Sequence, residues 1–113
     1  MENKKRLGMD LDGTIAKDNP VLRDVTYFYL SDDAIIDIYA ELGVDTKITA
    51  KLRQYRKDNW MIYIYTARDE RFREVTKKWL KTHRVPYDVL LMNKPYFTKY
   101  VGDEVEEIEN FKK

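Results

Sequence analysis

Short apolar runs that stop at polar turns recur along the chain and predict buried strands. The first run covers residues 7–11 and ends in Asp-Gly-Thr, and the second, residues 61–65, is apolar on both faces. A strand without alternation is typical of the interior of a parallel sheet that helices cover. Residues 89–92 form a third run, and residues 100–102 predict a short fourth strand.

Helical periodicity fills the segments between these runs. Ser31 is predicted to cap a first helix that Gly43 ends, and a second helix begins near residues 45–46 and stops at residues 58–59. A third begins near Asp69 and closes around residues 82–84, and a last helix follows the fourth strand. The apolar positions predicted to face the core are Ile35, Ile38, Tyr39, Leu42, Ile48, Leu52, Tyr55, Phe72, Val75, Trp79, Leu80, Val105, Ile108 and Phe111.

The order of these elements predicts the fold class. Alternating strands and helices favour parallel pairing through right-handed crossovers, which gives an α/β fold: a three-layer Rossmann-like sandwich with a mainly parallel central sheet. Such sheets bind ligands at the carboxyl ends of their strands. No linker-like stretch divides the chain, so residues 1–113 are expected to form one domain. The aromatic and β-branched residues 25–30 predict a strand or hairpin over the site.

Composition narrows the function classes. The 21 basic and 20 acidic residues give a net charge of +1, which does not indicate a dedicated nucleic-acid or membrane binder. The absence of cysteine excludes disulfides, thiolate metal sites and a cysteine nucleophile, and it fits a reducing compartment. The N-terminal apolar stretch is too short for a secretory signal or a membrane span. We therefore expect a soluble, cytoplasmic protein.

The sequence Asp-Leu-Asp-Gly-Thr at residues 10–14 places two carboxylates where the first strand ends. Asp10 is a candidate nucleophile toward phosphorus, and Asp12 can protonate the leaving group and later activate water. A carboxylate attacks a phosphate only when the phosphate charge is neutralised, which implies Mg²⁺ nearby. An ordinary Asp-Gly turn is the alternative. An EF-hand calcium loop does not fit, because Ile15 stands where that loop requires glycine.

This pentapeptide after an apolar run resembles the first motif of the haloacid dehalogenase-like (HAD) phosphohydrolases. Thr66-Ala67-Arg68, after the second run, resembles the second motif, which implies that these residues bind substrate and that Thr66 binds the phosphoryl group. Lys94, after the third run, looks like the lysine that holds the phosphate and offsets its repulsion from the nucleophile. The catalytic set implied by the resemblance is Asp10, Asp12, Thr66 and Lys94.

The acidic segment that begins Gly-Asp-Glu at residue 102 resembles the fourth motif of the family. The resemblance implies that Mg²⁺ is bound by Asp10, by the backbone carbonyl of Asp12 and by Asp103, with water and a substrate oxygen completing an octahedron. Glu104 and Glu107 both stay open for an outer, supporting role. Either residue would also stabilise the N-terminus of a helix without any metal.

Most members of the family carry a cap domain, for which this chain has no room. The resemblance implies a capless, HAD-like phosphatase with an open site, in which only residues 15–31 act as a flap. The helix after Thr66 is similar to that of polynucleotide 3′-phosphatase domains, whereas the segments around Pro86 and Pro95 are similar to small capsule-biosynthesis phosphatases. The implied partners are a small-molecule phosphomonoester or a nucleic-acid end, with a homo-oligomer left open and no membrane.

Local positive charge and an aromatic flap would favour a nucleic-acid end as substrate. The residues concerned are Arg68, Arg71, Arg73, Tyr27, Phe28 and Tyr29. Solvated arginines and aromatic rings that pack on the core are the alternative. His83, the only histidine, lies near a predicted helix end and is assigned no catalytic role.

Three functions remain open at this point. The first is Mg²⁺-dependent hydrolysis of a nucleotide, a polynucleotide 3′-phosphate or a sugar phosphate through an aspartyl-phosphate on Asp10. The second keeps this intermediate but transfers the phosphoryl group to a sugar hydroxyl, as phosphomutases do. The third is a non-catalytic module that binds a phosphate or a partner on the same fold.

Overall fold

The computed structural model describes residues 4–22 and 25–94, and within them three parallel strands form one sheet. The strand order is β1-β2-β3, with β2 in the middle. Leu7 pairs with Ile62 across the first two strands, and Tyr63 pairs with Val89 across the second two. The strands are β1 (Arg6–Asp10), β2 (Met61–Tyr65) and β3 (Val89–Leu91). The predicted α/β, Rossmann-like class with a parallel sheet and no cap domain is thus confirmed for the described residues.

Three helices connect the strands. Among the described residues they are α1 (Asp32–Ala40), α2 (Thr46–Lys57) and α3 (Arg73–Thr82), and three short 3₁₀ helices cover Pro20–Leu22, Val25–Tyr29 and Glu70–Phe72. The predicted cap of α1 is confirmed, because the Ser31 hydroxyl accepts a hydrogen bond from the Ala34 N–H at 3.1 Å. The Asp45 carboxylate caps α2 in the same way, with 3.0 Å to the Lys47 N–H.

The core lies between the sheet and these helices. Alternate residues of the strands point to the helices and are buried, as Met9 and Ile64 show. The buried apolar side chains of the helices are Ile35, Tyr39, Leu52, Trp79 and Leu80. The indole N–H of Trp79 donates to the Leu42 carbonyl at 2.8 Å and thereby fixes α3 against the loop after α1.

Two local predictions are wrong. Residues 25–30 form no strand: Val25–Tyr29 is a 3₁₀ helix, followed by a local hydrogen bond from the Leu30 N–H to the Tyr27 carbonyl at 3.2 Å. Aromatic composition favours a strand only where another strand pairs with it. Helix α1 ends at Ala40 rather than at Gly43, whose carbonyl instead accepts from the Lys17 N–H at 2.8 Å.

The predicted flap is anchored at its base. Ile15 and Ala16 are fully buried in the core, and the Ile15 carbonyl accepts from the Asp45 N–H at 2.8 Å. The segment available to lie over the site therefore begins near Lys17. It continues through the first two 3₁₀ turns to the start of α1.

Several predicted features lie outside the described residues. They are the fourth strand at residues 100–102, the last helix with Val105, Ile108 and Phe111, and the motif acids Asp103, Glu104 and Glu107. Within the described residues, no helix has both the length and the apolar character needed to cross a membrane.

Candidate active site

The carboxyl ends of the three strands bring the first three motifs to one edge of the sheet. Asp10, the last residue of β1, is in register with Tyr65, the last residue of β2. The next residues stay joined, because the Leu11 N–H donates to the Tyr65 carbonyl at 3.0 Å. The Thr66 N–H in turn donates to the Leu91 carbonyl of β3 at 2.9 Å. The side chains that follow these strands must therefore emerge near one another.

The turn after β3 is bonded directly to the second motif. The Lys94 N–H donates to the Thr66 carbonyl, and the Asn93 N–H donates to the Arg68 carbonyl, each at 2.8 Å. Asn93 has φ of 57°, in the left-handed region that asparagine tolerates better than most residues. These bonds place Lys94 beside Thr66, with its Nζ 6.0 Å from the centroid of the Tyr65 ring.

The turn after β1 keeps both motif aspartates at this edge. Gly13 has φ of 78°, a conformation that costs little only without a Cβ. The Gly13 N–H donates to the Ala16 carbonyl at 2.9 Å, and the Ala16 N–H donates to the Leu11 carbonyl at 2.9 Å. The chain thus reverses within a few residues, so that Asp12 projects toward β2 instead of leaving the sheet.

The Asp12 carboxylate is held by donors from the second motif. The Thr66 hydroxyl donates to Asp12 Oδ2 at 2.8 Å. The Arg68 guanidinium donates to Oδ1 from Nη2 at 2.7 Å and reaches both oxygens from Nε, at 3.1 and 3.2 Å. The Asp12 side chain is 28% exposed, whereas the Arg68 side chain is only 2% exposed.

Arg68 is fixed on its other sides as well. Its Nη1 donates to the Thr76 hydroxyl of α3 at 2.9 Å, and its guanidinium carbon lies 3.7 Å from the centroid of the Tyr39 ring of α1. Burial raises the pKa of Tyr39 far above its ordinary value, and a side-chain hydrogen bond with Tyr27 adds to this, while the Arg68 charge opposes it. The Tyr39 ring therefore stays neutral and offers a π face to the cation.

Two neighbouring arginines do not share this position. Arg71, with its side chain 51% exposed, pairs with Asp32 at 3.2 Å and with Asp69 at 3.4 Å. Arg73 pairs with Glu70 at 2.7 Å. Of the three arginines predicted to add positive charge near substrate, two therefore make surface ion pairs and the third is bound to Asp12.

A pocket of about 250 Å³ lies between Asp12 and the flap. Polar and apolar side chains both line it, and they come from the second motif, α1 and the flap. The lining residues are Asp12, Lys17, Asp18, Asn19, Leu22, Tyr27, Tyr39, Ala67 and Arg68. Tyr27 thus faces inward, whereas Phe28 and Tyr29 are 83% and 85% exposed.

The described oxygen donors suit Mg²⁺ in kind. Asp10 and Asp12 supply carboxylate and carbonyl oxygens, which are the hard ligands that this cation prefers. Residues 4–22 and 25–94 contain no group of three His, Cys, Asp or Glu side chains placed to hold a metal ion. The predicted third protein ligand, Asp103, lies outside that part of the chain.

Several solved structures have a fold similar to that of this chain. A structural genomics target from Vibrio cholerae has a TM-score of 0.61 and 26% identity, over 96% of each chain. A chain of the Pnkp1/Rnl/Hen1 complex has a TM-score of 0.62 and 23% identity, over 98% of this chain but 34% of its own length. Another structure, of the Pnkp1/Rnl/Hen1 RNA repair complex, has a TM-score of 0.60 and 22% identity, over 96% of this chain and 31% of the other.

These comparisons establish a shared fold. The chain spans about a third of the length of the two repair-complex chains it matches. No family model matches the sequence, and neither does any curated protein.

Sequence reasoning missed three contributors to the site. Thr76 was unremarked, and Tyr39 was predicted only as a core residue, yet both contact Arg68. The Arg68 contact with Asp12 was missed too, because Arg68 was expected to face substrate. The only sequence signal for Thr76 is that helical spacing places it on the buried face of α3. That spacing does not identify Arg68 as its hydrogen-bond partner.

Proposed function

We propose that this chain is a Mg²⁺-dependent phosphohydrolase that forms an aspartyl-phosphate on Asp10. The observation that supports the proposal is convergence: Asp10 at the end of β1, and Asp12, Thr66 and Lys94 in the turns after three different strands, lie at one edge of the sheet. A nucleophile, an acid–base group, a hydroxyl and a cation are the parts that phosphoryl transfer to a carboxylate requires.

The proposed reaction has two displacements at phosphorus. A carboxylate oxygen of Asp10 bonds to phosphorus as the bond to the leaving oxygen breaks, and Asp12 gives that oxygen a proton. Water then attacks phosphorus, Asp12 takes its proton, and the bond to Asp10 breaks to release phosphate. Mg²⁺, bound by Asp10, the Asp12 carbonyl and Asp103, would neutralise phosphate charge.

Lys94 and the turn at residues 66–68 would hold the phosphoryl oxygens. The Thr66 hydroxyl has one proton, and in the described arrangement it donates this proton in a hydrogen bond to Asp12. A hydrogen bond from this hydroxyl to phosphate therefore requires the Thr66–Asp12 bond to open. Ala67 lines the pocket and is exposed, so its backbone is accessible to a phosphoryl group.

The leaving group is proposed to occupy the pocket beside Asp12, since the acid must reach the leaving oxygen. A volume of about 250 Å³ admits one sugar or one base, and the open outer side leaves room for a longer chain. Suitable test substrates are a nucleotide, a 3′-phosphorylated oligonucleotide and a sugar phosphate. A nucleic-acid end is a candidate because two exposed aromatic residues, Phe28 and Tyr29, directly follow the pocket residue Tyr27 on the flap.

The decisive experiment compares Asp10→Asn with Asp33→Asn. Asp33 is an exposed carboxylate in the first turn of α1, so it controls for loss of one negative charge. Turnover of 4-nitrophenyl phosphate should require Mg²⁺, stop on chelation, disappear in Asp10→Asn and persist in Asp33→Asn. Acid-quenched mass spectrometry should detect a phosphoryl adduct on Asp10 in the unaltered chain. Activity retained by Asp10→Asn would exclude Asp10 as the nucleophile.

The same assay separates the two alternative functions. With isotopically labelled water, a hydrolase places the label in phosphate, whereas a phosphotransferase delivers an unlabelled phosphoryl group to a sugar hydroxyl. A purified protein that binds phosphate but never turns over any of the three substrate classes would be a binding module.

A further inference from the structure

Each of the three nitrogens of the Arg68 guanidinium donates a hydrogen bond within the protein. Nε and Nη2 bind Asp12, Nη1 binds Thr76, and one face of the guanidinium lies on the Tyr39 ring. Its side chain is 2% exposed. Burying a guanidinium is costly unless it is paired and hydrogen-bonded, and these contacts compensate for the burial of Arg68.

The occupied edges argue against a direct phosphate contact by Arg68. Its Nε and Nη2 edge, which could bind two phosphoryl oxygens, is already on the Asp12 carboxylate. Turning Arg68 toward substrate would break its bonds to Asp12 and Thr76 and its stacking on Tyr39 together. Lys94, whose N–H donates to the Thr66 carbonyl and whose Nζ lies 6.0 Å from the centroid of the Tyr65 ring, is the better phosphate cation in the proposed reaction.

The Asp12 side chain lies in a turn, and the contacts that hold its carboxylate come from the second motif. It follows the strand end, precedes Gly13 with φ of 78°, and is 28% exposed. An acid–base group contributes fully only when its oxygen is held within hydrogen-bond reach of the reacting atom. The planar fork of arginine fixes both the position and the tilt of a carboxylate, which a lysine ammonium does not.

We propose that Arg68 is a positioning residue that aims Asp12 at the leaving-group oxygen, with Thr76 and Tyr39 holding Arg68 in turn. The proposal rests on the proposed function, since it assigns Arg68 a task in that reaction. It replaces the direct substrate contact that the sequence resemblance implied for Arg68. It also explains why α1 and α3, which carry no motif of their own, both touch the site.

The test exploits the dependence of acid catalysis on the leaving group. A nitrophenolate departs without a proton, whereas a simple alkoxide departs only when an acid protonates it. Displacing Asp12 should therefore harm an alkyl phosphate far more than 4-nitrophenyl phosphate. The quantity to compare is kcat/KM, because it covers the steps through departure of the leaving group and excludes hydrolysis of the aspartyl-phosphate.

The variants are Arg68→Lys, Arg68→Met and Thr76→Val, with Asp12→Asn as the reference and Arg71→Lys as the matched control. Arg71 lies on the same turn but is half exposed and pairs with surface acids. Both Arg68 variants should lower kcat/KM for glycerol phosphate by about 100-fold, within the range of general acid catalysis. The loss on 4-nitrophenyl phosphate should be less than about 10-fold, and competitive inhibition by inorganic phosphate should not change.

Thr76→Val keeps the charge of Arg68 and serves if the Arg68 variants fold poorly. It should shift the ratio of the two kcat/KM values in the same direction as Asp12→Asn, while Arg71→Lys leaves that ratio unchanged. Equal losses on both substrates together with weaker phosphate inhibition would overturn the proposal in favour of direct phosphate binding. An unchanged ratio in all three variants would overturn it as well.

Failure of this inference can be told apart from failure of the proposed function. If the unaltered chain turns over and Asp10→Asn does not, the proposed function stands whatever the Arg68 variants do. If the unaltered chain with Mg²⁺ turns over neither these two substrates nor any of the three substrate classes named above, both the proposed function and the positioning role are wrong.

Discussion

Replacing Thr66 with valine tests whether one hydroxyl holds the two motif turns together. Thr66 is fully buried. Its hydroxyl donates to Asp12 Oδ2 at 2.8 Å and accepts from the Arg68 backbone N–H at 3.1 Å. Valine has nearly the same volume, so the substitution removes both hydrogen bonds without creating a large cavity. Thr66→Ser is the matched control because it keeps the hydroxyl and removes a methyl group.

The expected magnitude follows from these contacts. A buried N–H that loses its acceptor destabilises a protein by about 1–3 kcal/mol. The lost bond to Asp12 adds about 1 kcal/mol, at the low end for a carboxylate because water can reach this side chain. Burial of the additional methyl group of valine offsets about 0.8 kcal/mol of this. Thr66→Val should therefore destabilise the fold by about 2 kcal/mol, against about 1 kcal/mol for Thr66→Ser.

Urea unfolding followed by tryptophan fluorescence, to which Trp60 and the buried Trp79 both contribute, measures both values. With a slope of about 1–2 kcal/mol per molar urea, Thr66→Val should lower the midpoint by about 1–2 M, and Thr66→Ser by about half as much. A valine variant as stable as the serine variant would refute the reasoning, because it would mean that the hydroxyl contributes no more than its methyl neighbour. In the phosphatase assay the serine variant should also retain the larger share of turnover.

Three further perturbations have defined outcomes. Burial opposes ionisation of Asp88, but the Ile62 N–H at 2.7 Å and Arg56 outweigh it and hold the pKa below its ordinary value. Asp88→Asn should therefore destabilise the fold by about 0.5–1 kcal/mol in urea unfolding at pH 7, where solvent screens the pair. The difference should vanish as the pH falls through the lowered pKa of Asp88. Gly13→Ala should lower the thermal midpoint, because φ of 78° costs about 1–2 kcal/mol with a Cβ even though no atom lies within 4 Å of it. Replacing both Phe28 and Tyr29 with serine should change stability by less than about 0.5 kcal/mol, since both are exposed, and a selective rise in KM for 3′-phosphorylated oligonucleotides would identify them as base-stacking residues.

Some predictions failed where local sequence preference met a different environment. The aromatic segment at residues 25–30 reads as a strand by composition, but it folds as a 3₁₀ helix whose hydrogen bonds are local. Strand preference depends on a neighbouring strand, which composition does not supply. Gly43 resembles a helix end, yet its carbonyl bonds to Lys17 at the base of the flap, a contact that sequence spacing does not indicate.

The sequence by itself determined the strands, the helices and the residue types at the strand ends. These depend on short-range signals: apolar runs, a capping serine at residue 31, and polar turns after each run. Parallel strands share one orientation, so placing motif residues just beyond each strand was enough to predict that Asp10, Thr66 and Lys94 would meet at one edge.

Only the tertiary structure decided what each side chain at that edge contacts. Arg68 follows Thr66 by two residues, and its sequence neighbours do not indicate whether its side chain faces solvent or the interior. It turns inward because Asp12 from the first turn, Thr76 from α3 and Tyr39 from α1 together satisfy its charge and its donors. These partners are distant in sequence, and their joint position depends on how the helices pack on the sheet, which no local pattern encodes.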